Sequence, residues 1–397
     1  MKGSNAKQNK AVNLRLVLTQ IVTLGPISRA EIARNTMLTK QTITNMVEEL
    51  LTLELVEEIG VKRTEGAGKP SKMLCLNKYA AFTYAVRISS DSLELGVYYL
   101  NGECHSKITQ HFVSQPTAAA IVEAITSFAK DQKINQNKIL AAGLSIQIHS
   151  ADAITQHQKN QALQAQLSEL LHLPVAIETT ASACAAYQML FGEAQTLHNF
   201  IYIHIGSKVE AAVVYDRQVL LGQNGLTGAI GDIFVTPEHN EKTGELGTLN
   251  DFVSLNSLRI YLASSAEAAI PIDELTPLQH PMSEKWIARA TEPMRIAIHT
   301  LESLLNTQTI IVGSDMSEAC LDSLIAQLRP FIPSISQMGE REIVRLIKVP
   351  NISSIALTGV STLPLHAALS SKNMQTLYTP SLWNENALQR SIFSHAI

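Results

Sequence analysis

A cluster of polar side chains near residue 40 has the residue types that read DNA bases. The segment TKQTITNMVEELLTLELV begins at Thr39, and its first turns carry five candidates for DNA contact: Lys40, Gln41, Thr42, Thr44 and Asn45. Gln and Asn can each form two hydrogen bonds with the edge of an adenine, and Thr can contact a thymine methyl group or a phosphate. This chemistry requires a helix that projects these side chains into a groove.

The flanking residues predict three helices, the third of which carries these candidates. Apolar residues before Gly25 follow helix spacing, and Gly25 and the proline after it end the first helix. Ser28 and Glu31 predict a capping box at the start of a short second helix. Thr39 is the expected N-cap of the third helix. The predicted buried stripe of that helix consists of Ile43, Val47, Leu50 and Leu51.

Two helices joined by a short turn are the layout of a helix-turn-helix, whose second helix enters the major groove. An ordinary helical hairpin with a polar surface is the alternative. Downstream, two short strands at 55–61 and 73–76 flank a tip with three cations, Lys62, Arg63 and Lys69. Such a tip suits phosphates or the minor groove. We therefore predict a winged helix-turn-helix DNA-binding domain over residues 1–78.

The distribution of charge also separates this head from the rest of the chain. The 397 residues have a net charge of −4, yet residues 1–76 hold 11 Lys and Arg against 7 Glu, a balance of +4. The remaining residues hold 20 Lys and Arg against 28 Asp and Glu, a balance of −8. A basic head on an acidic body is typical of a protein whose head meets a polyanion.

Hydrophobic residues make up 46% of the chain, which is ample for packed cores. The sequence contains no apolar run long enough to span a membrane and no signal-peptide pattern, so we expect a cytoplasmic protein without membrane insertion. The four cysteines are scattered and form no C-x-x-C pair. We expect them to be reduced and mostly buried.

A second candidate chemistry lies in YIHIGSKVEAAVVYD, residues 202–216. Two apolar strands flank an Ile-Gly-Ser break, which is the outline of a loop that lets phosphate approach the backbone. However, Lys208, Glu210 and two alanines stand where such a loop would need glycine. Lys208 could favour phosphate, but a lone lysine without a glycine cradle is more typical of a surface charge. From Phe82 onward, strand and helix patterns alternate, which predicts an α/β body with mixed sheets.

The order of these motifs resembles the ROK family (repressors, open reading frames and sugar kinases). The motifs are the winged head, a hairpin, LPVAIETTASACAA, IHIGSKVEAAVV, GQNGLTGAIGD and TIIVGSD. The resemblance covers essentially the whole chain and is to the repressor branch. It implies a two-lobed body with the fold of actin, Hsp70 and hexokinase over residues 79–397. The lobes are expected at roughly 79–190 with the C-terminal helix, and at 191–380.

The functional motifs of the family's kinases are replaced in this chain. Their first phosphate loop, of the D-x-G-G-T type, corresponds to RISSDS at 87–92, which lacks glycine. Thr180 stands where the resemblance places the catalytic aspartate, and a threonine hydroxyl is not a general base near neutral pH. Glu210 would repel bound phosphates. We therefore expect no catalytic residue, no cofactor and no enzymatic activity.

The sugar and zinc motifs of the family are replaced as well. The G-E-I-G-H motif corresponds to GAIGD at 228–232, with Ala229 and Asp232 in place of the glutamate and the histidine. The zinc motif corresponds to EKTGELGTLN at 241–250, in which no cysteine remains. His239 is nearby, but a lone loop histidine is more typical of a solvated residue. We expect no metal site.

Some polar residues could still line an interlobe cleft for a different effector: Glu178, Thr180, Asn224, Asp232 and Asn250. The alternative is that they satisfy local backbone groups.

Three hypotheses for the function follow. The first is a transcriptional regulator, a repressor of carbohydrate-use genes, that binds a double-stranded operator as a homodimer or a dimer of dimers. Its effector would be a sugar-related small molecule or a protein. The second is an ATP-dependent sugar kinase with an appended DNA-binding domain. The third is a scaffold whose head binds proteins.

Overall fold

The computed structural model describes residues 6–62, 71–89, 91–147, 153–222, 225, 227–239, 246–263, 281–339, 343–350, 355–370, 373–383 and 385–393. The chain forms two compact units. The first contains residues 1–178, 186–196 and 357–397, and the second contains 179–185 and 197–356. The head therefore belongs to the same compact unit as the strands and helices that follow it.

The head consists of three helices and a small antiparallel sheet. The helices are α1 (Ala6–Leu24), α2 (Arg29–Thr36) and α3 (Lys40–Thr52). The strands are β1 (Ile27–Ser28), β2 (Val56–Lys62) and β3 (Ser71–Leu76), in the order β1-β3-β2. Both predicted N-caps are confirmed. Ser28 and Glu31 form the capping box of α2, and the Thr39 hydroxyl accepts the backbone N–H of Thr42 at the start of α3.

The buried stripe of α3 differs from the prediction at one position. Ile43, Met46, Val47 and Leu50 are buried, whereas Leu51 is only half-buried. The helical period explains the difference, because Met46 lies three residues after Ile43 and four before Leu50. Leu51 is rotated one position away from that line.

The head shares its hydrophobic core with the first lobe of the body. Val17 and Leu50 of the head lie in one apolar cluster with Leu140 and with Phe393, which is fully buried near the C-terminus. The C-terminal end of α3 also lines a cavity of about 340 Å³ together with residues 137–140 and 386–388. The head is thus held by apolar burial as well as by the chain that joins it to the lobe.

The first lobe is built on a six-stranded sheet with the order β16-β8-β7-β4-β5-β6. Its strands are β4 (Phe82–Ile88), β5 (Ser92–Tyr99), β6 (Cys104–His111), β7 (Ile139–Ile146), β8 (Val175–Ile177) and β16 (Leu377–Tyr378). Strands β4, β7 and β8 run parallel, and the other pairings are antiparallel. The lobe also contains α4 (Ala118–Asp131), α5 (Ala153–Leu171), the second half of α6 (Thr180–Phe191), most of α11 (Ile355–Leu369), and α12 (Ala387–Phe393).

The second unit is built on a five-stranded sheet with the order β11-β10-β9-β14-β15. Its strands are β9 (Phe200–Ile205), β10 (Val209–Tyr215), β11 (Gln218–Val219), β14 (Ile310–Ser314) and β15 (Leu346–Lys348). A separate hairpin pairs β12 (Phe234–His239) with β13 (Leu246–Thr248). The helices are α7 (Leu249–Val253), α8 (Leu255–Ala263), α9 (Pro281–Leu305) and α10 (Glu318–Gln327). Trp286 is fully buried, and its indole N–H donates to the Ser257 hydroxyl at 3.1 Å.

All four cysteines are free thiols. Cys184 and Cys320 are buried, but Cys75 is half-buried and Cys104 is exposed on the edge strand β6. The expectation of mostly buried thiols is therefore wrong for Cys104. Among the helices in the described ranges, none combines the length and the apolar character that a membrane crossing requires.

Candidate nucleic-acid interface

The exposed face of α3 presents the side chains that were predicted to read bases. Lys40, Gln41, Thr44 and Asn45 are exposed, and Thr42 is half-buried. The opposite face of the helix lies in the core, so this polar face has a fixed direction. The structure places all five candidates on the first two turns of one helix.

Two hydrogen bonds order the polar side chains along this face. The Gln41 amide Nε2 donates to Asn45 Oδ1 at 2.9 Å, and the Thr44 hydroxyl donates to the Lys40 carbonyl at 2.9 Å. Both pairs have the i, i+4 spacing that brings helical side chains together. The first bond does not use Gln41 Oε1 or Asn45 Nδ2, so an acceptor and a donor remain for base edges.

An ion-pair network that the sequence reading did not identify fixes this helix to the hairpin. Arg29 of α2 contacts Glu58 of β2 at 2.8 Å and Glu48 of α3 at 3.2 Å. Lys72 of β3 also contacts Glu58. The hydrogen bonds from Lys72 and Arg29 lower the pKa of the Glu58 carboxyl. Glu58 therefore connects both hairpin strands to α2, and Arg29 extends this network to α3 through Glu48.

Of the three cations expected in the wing, the structure describes one, Lys62. Lys62 is the last residue of β2 and is paired with Ser71 of β3. Arg63 and Lys69 lie outside the described residues. The proposed contacts of these three residues with phosphates remain predictions.

The segment that corresponds to the first phosphate loop contains a nearly buried arginine. Arg87 on β4 is directly opposite Glu94 on β5, and its Nη1 donates to the Glu94 carboxylate at 2.7 Å. Its Nη2 donates to Gln147 Oε1 at 3.0 Å. The Arg87 side chain is only 6% exposed. An arginine and glutamate pair thus occupies the strand ends beside the position that a polyphosphate would approach.

The two effector candidates that follow β8 are held by their own surroundings. Thr180 is fully buried as the first residue of α6, and the preceding Thr179 hydroxyl accepts the backbone N–H of Ser182 at 3.1 Å. The Glu178 backbone N–H donates to the Leu144 carbonyl. Their binding of an effector remains a prediction.

Three backbone donors of the second phosphate-loop segment are paired with acceptors of the protein. The Gly206 N–H donates to the Lys208 carbonyl, and the Ala211 N–H donates to the Gly228 carbonyl. The Val209 N–H donates to Asn250 Oδ1 at 2.9 Å. Since a phosphate loop works by pointing free N–H groups at the anion, this segment is a poor cradle.

Two more of the predicted effector residues meet one another. Asn250 Nδ2 donates to Asp232 Oδ1 at 3.0 Å, while its oxygen accepts the Val209 N–H. Asn250 therefore connects α7, β10 and the turn that contains Asp232. Asn224 lies outside the described residues. These contacts favour the alternative in which Asn250 satisfies local groups, although they do not test ligand binding.

A buried histidine beside this loop was not identified from the sequence. His204 on β9 is fully buried, and its Nε2 lies 3.2 Å from Asp315 Oδ1, just after β14. Burial by itself would lower the pKa of His204, but the Asp315 carboxylate and Cys184 together outweigh burial and raise the pKa to about 10. Among the described residues, no group of three metal-binding side chains occurs. Glu241, one of the replaced zinc positions, lies outside them.

Comparisons with known proteins agree with this architecture. Residues 83–364 match the model of the ROK family. The xylose repressor of Staphylococcus xylosus is 22% identical over 91% of this chain and 97% of its own length. A ROK family transcriptional regulator, a homologue of the E. coli Mlc protein, has a structure with a TM-score of 0.65 at 20% identity, covering 89% of this chain and 96% of that chain.

A ROK glucokinase from Streptomyces griseus, solved with glucose and AMPPNP, gives a TM-score of 0.57 at 20% identity. It covers 71% of this chain and 99% of that chain. The body thus has the mixed α/β fold that ROK regulators and ROK kinases share. The resemblance noted in the sequence is confirmed, and the chain belongs to the ROK family.

Proposed function

We propose that the protein is a DNA-binding transcriptional repressor linked to carbohydrate metabolism. Its winged helix-turn-helix head reads an operator, and its body senses an effector without transferring phosphate. The observation that carries the proposal is the polar face of α3, where Gln41 and Asn45 stand exposed on a helix whose other face is buried. That geometry suits insertion of the first turns into the major groove.

The similar proteins support the same reading of the whole chain. The S. xylosus xylose repressor aligns with 91% of this chain, so the alignment extends beyond the part that the family model matches. The family model begins only at residue 83, so the head is additional to the part that it matches. A basic head in front of an acidic body is consistent with a polyanionic partner for the head alone.

Three features of the body support the absence of phosphate transfer. Thr180 is fully buried and has no carboxylate to act as a base. The Arg87 and Glu94 pair lies at the first loop. Three backbone donors of the second loop, those of Gly206, Val209 and Ala211, are already paired, and Glu210 of that loop would repel phosphates.

The body is also proposed to dimerise and to receive a signal. A homodimer or a dimer of dimers would present two heads to a pseudo-palindromic operator. The effector would be a sugar-related small molecule or a protein partner, in contact with residues such as Glu178. A cytoplasmic location is part of this proposal.

Genome-wide footprinting followed by binding assays on the recovered operator tests the proposal. We expect Gln41→Ala or Asn45→Ala to cost about 1–3 kcal/mol on the operator and to relax its base preference. Lys69→Ala should instead weaken binding to all sequences and reduce the salt slope by about one. Gln110→Ala removes an exposed glutamine of β6 and serves as the matched control.

Binding that does not depend on salt, or no preference for any genomic fragment, would contradict the DNA-binding role. If the Gln41 and Asn45 variants kept wild-type occupancy, the head would be better explained as a protein-binding module.

A further inference from the structure

The turn between α2 and α3 carries an exposed apolar side chain. Met37 directly follows α2, has a φ of 58°, and is 89% exposed. The neighbouring Thr36 holds the turn, since its hydroxyl donates to the Ile32 carbonyl and accepts the Leu38 backbone N–H. The thioether chain of Met37 therefore extends into solvent from a fixed backbone.

Packing against the described residues of the head does not account for methionine at this position. The left-handed backbone region disfavours side chains other than glycine and, to a smaller degree, asparagine and aspartate. A methionine that is almost fully exposed recovers none of that cost through burial. The apolar surface of Met37 can contribute to binding only in a complex where a partner molecule covers this side chain.

The charges around Met37 indicate what that covering surface is. Arg34 and Lys40 lie three residues before and three residues after it, and both are exposed. The segment from residue 32 to residue 47 contains no Asp or Glu. Gln41 and Asn45 begin one turn further along the chain. The apolar Met37 side chain therefore lies between two cations and next to the amides of Gln41 and Asn45. This arrangement is complementary to the edge of a DNA groove, where bases are flanked by phosphates.

In DNA, the apolar group that faces the major groove is the C5 methyl of thymine. We infer that Met37 is a specificity-determining residue that contacts a thymine methyl group at the edge of each half-site. This inference rests on the proposed DNA-binding function and adds a base preference that hydrogen bonds from Gln41 and Asn45 do not supply. The contact would bury the methyl against the thioether chain.

Substitution of thymine by uracil in the operator tests the contact, because it removes the methyl and leaves the base pairing unchanged. For the wild-type protein, we expect a loss of about fourfold in affinity at one thymine of each half-site, as for burial of one methyl group. Met37→Asn tolerates the left-handed backbone but has no apolar chain. This variant should lose a similar factor on the thymine operator and should not respond to uracil at that position.

Thermal unfolding of Met37→Asn and Met37→Gly checks that the head stays folded, and both variants should be at least as stable as the wild type. If the wild type binds no specific operator, the proposed function and this inference both fail. If the wild type binds specifically but Met37→Asn remains as sensitive to uracil as the wild type, only this inference is overturned. Unchanged affinity of Met37→Asn on the thymine operator would overturn it equally.

Discussion

His204 and Asp315 show how one buried residue pair joins two strands of the second unit. His204 lies on β9 and Asp315 follows β14, so their contact crosses the parallel pairing of these strands. Asp315 and Cys184 raise the pKa of His204 to about 10, which favours the imidazolium form at neutral pH. Asp315 retains partial exposure at 23%, which limits the desolvation of the pair.

This pair predicts a specific dependence of stability on pH. The pKa of an unfolded histidine is about 6.5, below the folded value of about 10. The stabilisation by His204 is therefore fully present below about pH 6.5 and is lost as the pH rises through about 10. Urea unfolding of the wild type between these values should show the free energy of unfolding falling with pH.

His204→Gln keeps a polar side chain without the charge and is the comparison variant. Lysines and tyrosines that titrate in the same pH interval affect the unfolding free energy of both proteins. The difference between the wild type and His204→Gln in the pH dependence of this free energy therefore reports on His204. Parallel curves for the two proteins would show that His204 is neutral in the folded state.

At the scale of elements, local signals predicted the helices of the head well. Ser28, Glu31 and Thr39 marked the starts of α2 and α3, because capping depends on residues only three positions apart. The strands at 200–205 and 209–215 also follow the apolar runs around Gly206. The prediction of Leu51 in place of Met46 for the buried stripe was wrong. Both residues are apolar and lie close to the edge of the stripe, so the sequence pattern alone does not separate them.

The contacts that define the body's sites depend on distant parts of the chain. Arg87 and Glu94 are opposite one another only because β4 and β5 pair in one register, and Gln147 reaches them from beyond β7. The bond from Asn250 to Asp232 similarly joins residues 18 positions apart. Composition and spacing contain no signal for such pairings without the sheet order.

The close approach of α11 to β7 gives a prediction for an element interface. A Cβ at Gly143 would lie 1.8 Å from the Val360 backbone carbonyl oxygen. Gly143→Ala must therefore displace α11 from the sheet, and we expect it to lower the free energy of unfolding by about 3 kcal/mol.

Chemical denaturation measures this loss, and Gly96→Ala in the same sheet is the matched control. Its Cβ would meet only the side chains of Tyr98 and Leu357, which can move more easily than backbone. Gly96→Ala should therefore cost less than Gly143→Ala. Equal losses would show that α11 adjusts its position as readily as a side chain does.

At the scale of the whole molecule, we propose that a dimer places two heads on one operator. Two heads related by a two-fold axis should protect two half-sites whose centres lie about one helical turn apart or a multiple of it. Footprinting together with the mass of the complex measures both quantities. A single protected half-site with one bound chain would contradict the dimeric arrangement.

The apolar cluster that joins the head to the first lobe has a consequence for genetics. Phe393 and Ile392 of α12 lie in the same cluster as Val17 and Leu50 of the head. A stop codon before residue 387 would remove part of the packing beneath α3, the helix proposed to read the operator. Such a nonsense allele would then lose DNA binding although the deleted residues lie far from α3 in the sequence. A bulky C-terminal fusion that disturbs the packing of α12 would weaken DNA binding for the same reason.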